Sequence, residues 1–162
     1  MATTAEIEPH VATRIEPGAI LYSSWGYDQT NIDFYMVTRT TKSSAWIVPM
    51  SSRMTEQTGW ASERVVAGEP QWVSGWCECR HPTSNHGMVL NMAGPDYPHC
   101  RGSYGDECDC HELRPVANVP EMHRIRRWSY GPESEMNESL TLTSYSSASL
   151  WAGSDLYASH YA

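Results

Sequence analysis

Ile32-Asp33-Phe34-Tyr35-Met36-Val37-Thr38, followed after a short polar stretch by Ala45-Trp46-Ile47-Val48, decides the fold class of this 162-residue chain. Both runs are dense in β-branched and aromatic residues, which pack well on a pleated surface, and both are too short for a stable helix. Thr40-Thr41-Lys42-Ser43 between them has the polarity of a turn, so the pair predicts a β-hairpin. Pro49 follows directly and lacks a backbone donor, which predicts that the second strand ends there or lies at an edge.

Outward from the hairpin the same grammar continues. Ala19-Ile20-Leu21-Tyr22 reads as an earlier strand and Glu63-Arg64-Val65-Val66-Ala67 as a later one. Residues 122–129, closed by Gly131-Pro132, predict another. Ser139-Leu140-Thr141-Leu142-Thr143-Ser144-Tyr145 alternates strictly, with the leucines on one face. A last strand is expected within 155–161. No amphipathic helix of useful length is present. The expected architecture is mostly β, a small barrel or sandwich of SH3-like size with an inserted, loop-rich zinc-binding lobe. Segments 18–70 and 115–162 would form the β core behind a polar lead-in, 1–17, and 71–114 would be the insertion.

Composition supports a thin, sheet-based core. Seven Trp and nine Tyr stand against a single Phe, and such rings suit half-buried sheet positions where the polar tip reaches water. The net charge is −8, and residues 54–114 carry most of it, with nine acidic side chains against four basic. That balance argues against non-specific binding to phosphate backbones. The one basic cluster is His123-Arg124-Ile125-Arg126-Arg127. The N-terminus has no basic and apolar leader pattern, and no apolar run approaches the roughly 18 residues of a membrane span. A cytoplasmic chain with reduced thiols is therefore expected.

Those thiols are concentrated. Cys77, Cys79, His81, His86, His99, Cys100, Cys108, Cys110 and His111 include every cysteine of the chain. Thiolate and imidazole are the ligands zinc prefers, and four close a tetrahedral site. The pairs Cys77-Glu78-Cys79 and Cys108-Asp109-Cys110 make these four cysteines the first choice of ligands. His81, His99, Cys100 or His111 would substitute for one of them or build a second site, so one zinc is expected and a second is allowed. The glycines and prolines around them leave little else to fold the segment, so metal would supply folding free energy, on the order of 10 kcal/mol. No P-loop, G-x-G-x-x-G, G-x-S-x-G or H-E-x-x-H pattern occurs.

Gly18 to Tyr35, with Ser23-Ser24-Trp25-Gly26-Tyr27-Asp28-Gln29-Thr30-Asn31 and then Asp33-Phe34-Tyr35-Met36-Val37, carries a resemblance. So does the tail Trp151-Ala152-Gly153 running on to Tyr161-Ala162. Together they resemble a family of small proteins carried by bacteriophages, plasmids and other bacterial mobile elements, over 18–66 and 121–162. The family usually has Asp where this chain has Ala152, and its shorter members lack the Cys/His segment. The motif implies no chemistry, so no catalytic residue is carried over.

The leading functional expectation is a non-enzymatic, zinc-stabilised protein of phage or mobile-element type, acting in the host cytoplasm. It would bind and modulate a host protein of the nucleic-acid machinery, such as RNA polymerase or a restriction or CRISPR nuclease. Trp25 and Tyr27 are candidate contacts, since an exposed Trp-Gly-Tyr is a good anchoring surface. The motif is also consistent with a structural turn relieved by Gly26. The alternatives are direct nucleic-acid binding through Arg124, Arg126 and Arg127, and a metal-dependent hydrolase or nuclease built on His86.

Overall fold

The computed structural model describes residues 7–81 and 114–160. These are mostly strand, and no helix occurs among them. In chain order the strands are β1 (Ile20–Trp25), β2 (Asn31–Thr40), β3 (Ser44–Gly59), β4 (Ser62–Pro70), β5 (Val73–Cys77), β6 (Pro115–Ala117), β7 (Glu121–Trp128), β8 (Asn137–Thr141), β9 (Ser147–Leu150) and β10 (Leu156–Ser159). They fall into two compact units, Met1–Gln71 with Val119–Ala162, and Trp72–Asn118.

In the larger unit, β2 and β3 form the hairpin, with Val37 opposite Ile47 and Phe34 opposite Met50. Antiparallel pairing runs from β1 to β2, β3, β7, β8 and β9, and β9 pairs with β1 again. β3 holds two partners along one edge: residues 44–47 pair with β7 and residues 50–59 with β4. β10 then adds to the far side of β4.

This arrangement explains why β3 passes through Pro49 instead of ending there. The Pro49 carbonyl accepts a hydrogen bond from the Gln71 amide at 2.9 Å, on the edge that β7 and β4 share. In a strand the amide and carbonyl of one residue point the same way. The donor that Pro49 lacks would thus face the gap between the two partners, where the ladder loses nothing.

One face of these strands builds the core. Leu21, Val37, Ala45, Ile47, Leu140 and Ala148 cluster there, joined by Ala19 and by Ile15 from the segment before β1. That segment is tied in: the Ile15 amide donates to Glu138 Oε1 at 2.9 Å, and His10 bridges to Ala19. The neighbouring residues Ile20, Phe34, Met36, Val48 and Met50 point the other way and are buried too. Trp151, just after β9, covers Phe34 edge-on with ring centroids 5.5 Å apart. Each of the larger apolar side chains among these contributes roughly 1.5–3 kcal/mol by leaving water.

The alternation across 139–145 predicts one strand, but β8 stops at Thr141. Leu142 and Thr143 donate their amides to Ser146 O, and the Thr143 and Ser146 hydroxyls meet at 2.7 Å. The hydroxyls compete with the ladder and turn the chain into β9. In the smaller unit β5 and β6 pair antiparallel, and the Asn118 amide donates to Trp72 O at 2.9 Å.

Candidate functional site

The β1–β2 loop is built around Gly26, whose φ of +126° and close approach to Gln29 O exclude any side chain. Asn31 Nδ2 donates back to Trp25 O at 3.3 Å, so the loop has the structural turn its sequence allows. Its aromatic residues nevertheless face water. Trp25 is 54% and Tyr27 98% exposed. The Trp25 indole is fixed in place, since its Nε1–H donates to Asp33 Oδ2 at 2.6 Å. Farther along β2, burial pushes the Tyr35 hydroxyl pKa up, and the Asp33 and Glu121 carboxylates add to the effect.

Two other segments meet this loop. The Ser159 amide donates to Thr30 O at 2.9 Å and the Thr30 amide to Ser159 Oγ at 2.8 Å, which ties the end of β10 to the start of β2. The His160 amide donates to Ala61 O at 2.7 Å, and His160 Nε2 lies 2.8 Å from Glu63 Oε1. The loop, β10 and the tight β3–β4 turn thereby border an open, shallow cleft of about 500 Å³ lined by Asp28, Trp60, Ser62, Tyr157, Ser159 and His160. Trp60, at the tip of that turn, is 82% exposed. Asp28 of the 23–31 loop, Trp60 of the β3–β4 turn and Tyr157 and His160 of the C-terminal segment, far apart in sequence, thus line one surface with two aromatic rings and a carboxylate.

The three arginines of β7 divide. Arg127 is engaged within the fold: its Nε donates to Glu138 Oε2 and an Nη to Lys42 O, both at 2.7 Å. Arg124 and Arg126 alternate with Ile125, which packs on the core, so they point outward.

In the smaller unit, Cys77 is buried at the end of β5 and its Sγ accepts the Arg114 amide at 3.3 Å. The Cys77 amide donates to His81 O and the Arg80 amide to Cys77 O, each at 2.9 Å, closing a tight turn with Arg80 at φ +70°. Cys79 is half-buried in this turn. His81 Nδ1 is buried with no hydrogen-bond partner among the described residues. No group of three or more metal-ligating side chains is assembled among the described residues. Cys108, Cys110, His99, Cys100, His111 and His86 lie outside them.

No family model, curated protein or solved structure matches this chain. The exposure expected of Trp25 and Tyr27 from the motif is what the loop has. Asp28 stands in the motif, but its meeting with Trp60 of the β3–β4 turn and with Tyr157 and His160 of the β10 segment is a product of the fold. The one signal available was Gly59-Trp60-Ala61, a large aromatic ring set in a turn.

Proposed function

We propose that this protein is a non-enzymatic, zinc-stabilised binding protein that docks on a basic surface of a host macromolecule. The surface that makes the contact is the cleft face, with Trp60 and Tyr157 as anchors and Asp28 supplying negative charge, and the exposed Trp25 and Tyr27 of the adjoining loop extend it. The observation that carries this reading is the convergence of the 23–31 loop and the C-terminal strand on one exposed aromatic cleft. Exposed Trp and Tyr groups of this kind are where binding energy concentrates, and carboxylates around them select a cationic partner. The resemblance to mobile-element proteins supports a bacterial host protein as target, of the nucleic-acid machinery such as RNA polymerase or a restriction or CRISPR nuclease.

Zinc enters through the Cys77–His81 turn. An amide aimed at Cys77 Sγ favours the thiolate that a metal takes. A buried imidazole nitrogen without a partner costs on the order of 1–3 kcal/mol, which coordination would relieve. These residues fit a metal, with Cys108 and Cys110 as the further ligands named by sequence. The metal's role is to hold the Trp72–Asn118 unit folded.

The test is capture of partners from host lysate after nuclease digestion, comparing the native protein with a Trp60→Ala/Tyr157→Ala variant. A host protein retained by the native chain, released by moderate salt and lost from the variant is the expected result. Equal retention by the variant sinks the cleft as the contact surface.

A further inference from the structure

The outer face of β7 and its neighbours carries a second surface, independent of the cleft. Cross-strand register sets Arg39 of β2 opposite Trp46 of β3, and Trp46 opposite Met122 of β7. Residues paired in this way share a face, and Met122, Arg124, Arg126 and Trp128 alternate along that same face of β7. The opposite face is the core side, where Ala45, Ile47, Ile125 and Leu140 pack. A stripe of three arginines, two tryptophans and one methionine results, about 20 Å long on β7.

Two of the three arginines along the stripe lie over tryptophan rings. The Arg39 guanidinium carbon lies 3.7 Å from the centre of the Trp46 ring, and that of Arg126 lies 5.8 Å from the centre of Trp128. Stacking on an indole holds a guanidinium flat and leaves its N–H edges free to bond outward. Arg39, Arg124 and Arg126 have no carboxylate at ion-pairing distance among the described residues, unlike Arg127. Met122 is exposed between them.

We propose that this stripe binds a short stretch of single-stranded nucleic acid. The arginines would take phosphates, while indole and guanidinium planes and the Met122 thioether offer stacking surfaces for unpaired bases. Positive charge interleaved with flat rings is the arrangement that tracks single strands without reading sequence. A duplex hides the base faces on which the rings would stack and leaves a flat sheet stripe mainly its phosphates, for which three arginines on a chain of net charge −8 are too few. The acidic remainder of the molecule confines the strand to the stripe. Of the three arginines expected from sequence, Arg127 is turned to Glu138 and Lys42, and the proposed set joins Arg39, Trp46 and Trp128 to Arg124 and Arg126.

Fluorescence anisotropy with a labelled twelve-nucleotide oligothymidine, and with a twelve-base-pair duplex, tests this at low salt. The single strand should bind better than the duplex and quench tryptophan emission. The log–log salt slope should be near −2, about 0.7 for each of three phosphates. Arg124→Glu/Arg126→Glu should weaken binding roughly tenfold or more. Arg124→Gln/Arg126→Gln, which keeps the strand free of new charge, should weaken it less but clearly. Arg53→Glu on the distal half of β3 is the control and should leave it nearly unchanged. Equal affinity for the duplex, or binding undiminished in both double variants while circular dichroism shows them folded, overturns the proposal.

Discussion

His10 is fixed to its neighbour Glu16, with Nε2 and Oε1 2.9 Å apart, in the segment that leads Ile15 into the core. The hydrogen bond to Glu16 is the main reason the His10 pKa lies above its ordinary 6.5. The same bond, with help from Arg14, holds the Glu16 carboxyl below its ordinary 4.5. A raised imidazole stabilises fully below about pH 6.5 and loses that contribution as pH climbs through its folded value. A lowered carboxyl contributes above about pH 4.5 and loses it as pH falls through its folded value. The tie is therefore strongest between those limits. Both groups are largely exposed, so its effect on global stability is small. A proton NMR titration of His10 should show a midpoint above 6.5 that falls back in Glu16→Gln. Unchanged midpoints in the two proteins would remove this pair from the strap. Pro49 shows, at the same scale, what a sequence conceals. Its missing donor was legible, but that the edge it faces changes partner at that residue was not.

At the scale of elements, β2 and the first half of β3 were legible because propensity and burial agree there. The second half of β3, Ser-Ser-Arg-Met-Thr-Glu-Gln-Thr-Gly over 51–59, has no apolar alternation and is a strand only because β4 lies against it. β9 is similar: Ser-Ala-Ser-Leu has little propensity of its own, yet it pairs with both β1 and β8. Tertiary pairing overrides weak local preference in both places. Trp151 gains its role the same way. Its amide donates to Ile20 O at 2.9 Å and its Nε1 to Ser154 O at 2.7 Å, which aims the ring at Phe34. Trp151→Ala should cost about 3–5 kcal/mol by opening a cavity over β2. Urea denaturation measures it, and a loss below about 1 kcal/mol would mean that Phe34 is covered without it.

For the whole molecule, the mostly β class was legible in the sequence, but the cleft was not. Trp60, Tyr157 and the 23–31 loop meet only after β4 and β10 have folded beside one another. The metal reading has a consequence of its own at this scale. Removing zinc with a chelator should abolish protection of the Glu78 and Asn118 amides, whose acceptors are Arg114 O and Trp72 O. Protection of the Trp151 amide should persist, and hydrogen exchange reads both. Protection unchanged throughout would deny zinc a part in folding that unit. The pairing of Trp72 with Asn118 bears on the order in which the chain assembles. Residues 44–47 emerge from the ribosome well before 121–124, with which they must pair. Bringing them together across a slack excursion from 72 to 118 would cost about 2 kcal/mol more than crossing a tight turn. With its two ends clasped, the excursion costs little more than a turn of a few residues. The Trp72–Asn118 pairing then acts during synthesis as a clip that shortens the path to the β3–β7 pairing, and under the proposed zinc reading the clip would set only with metal bound.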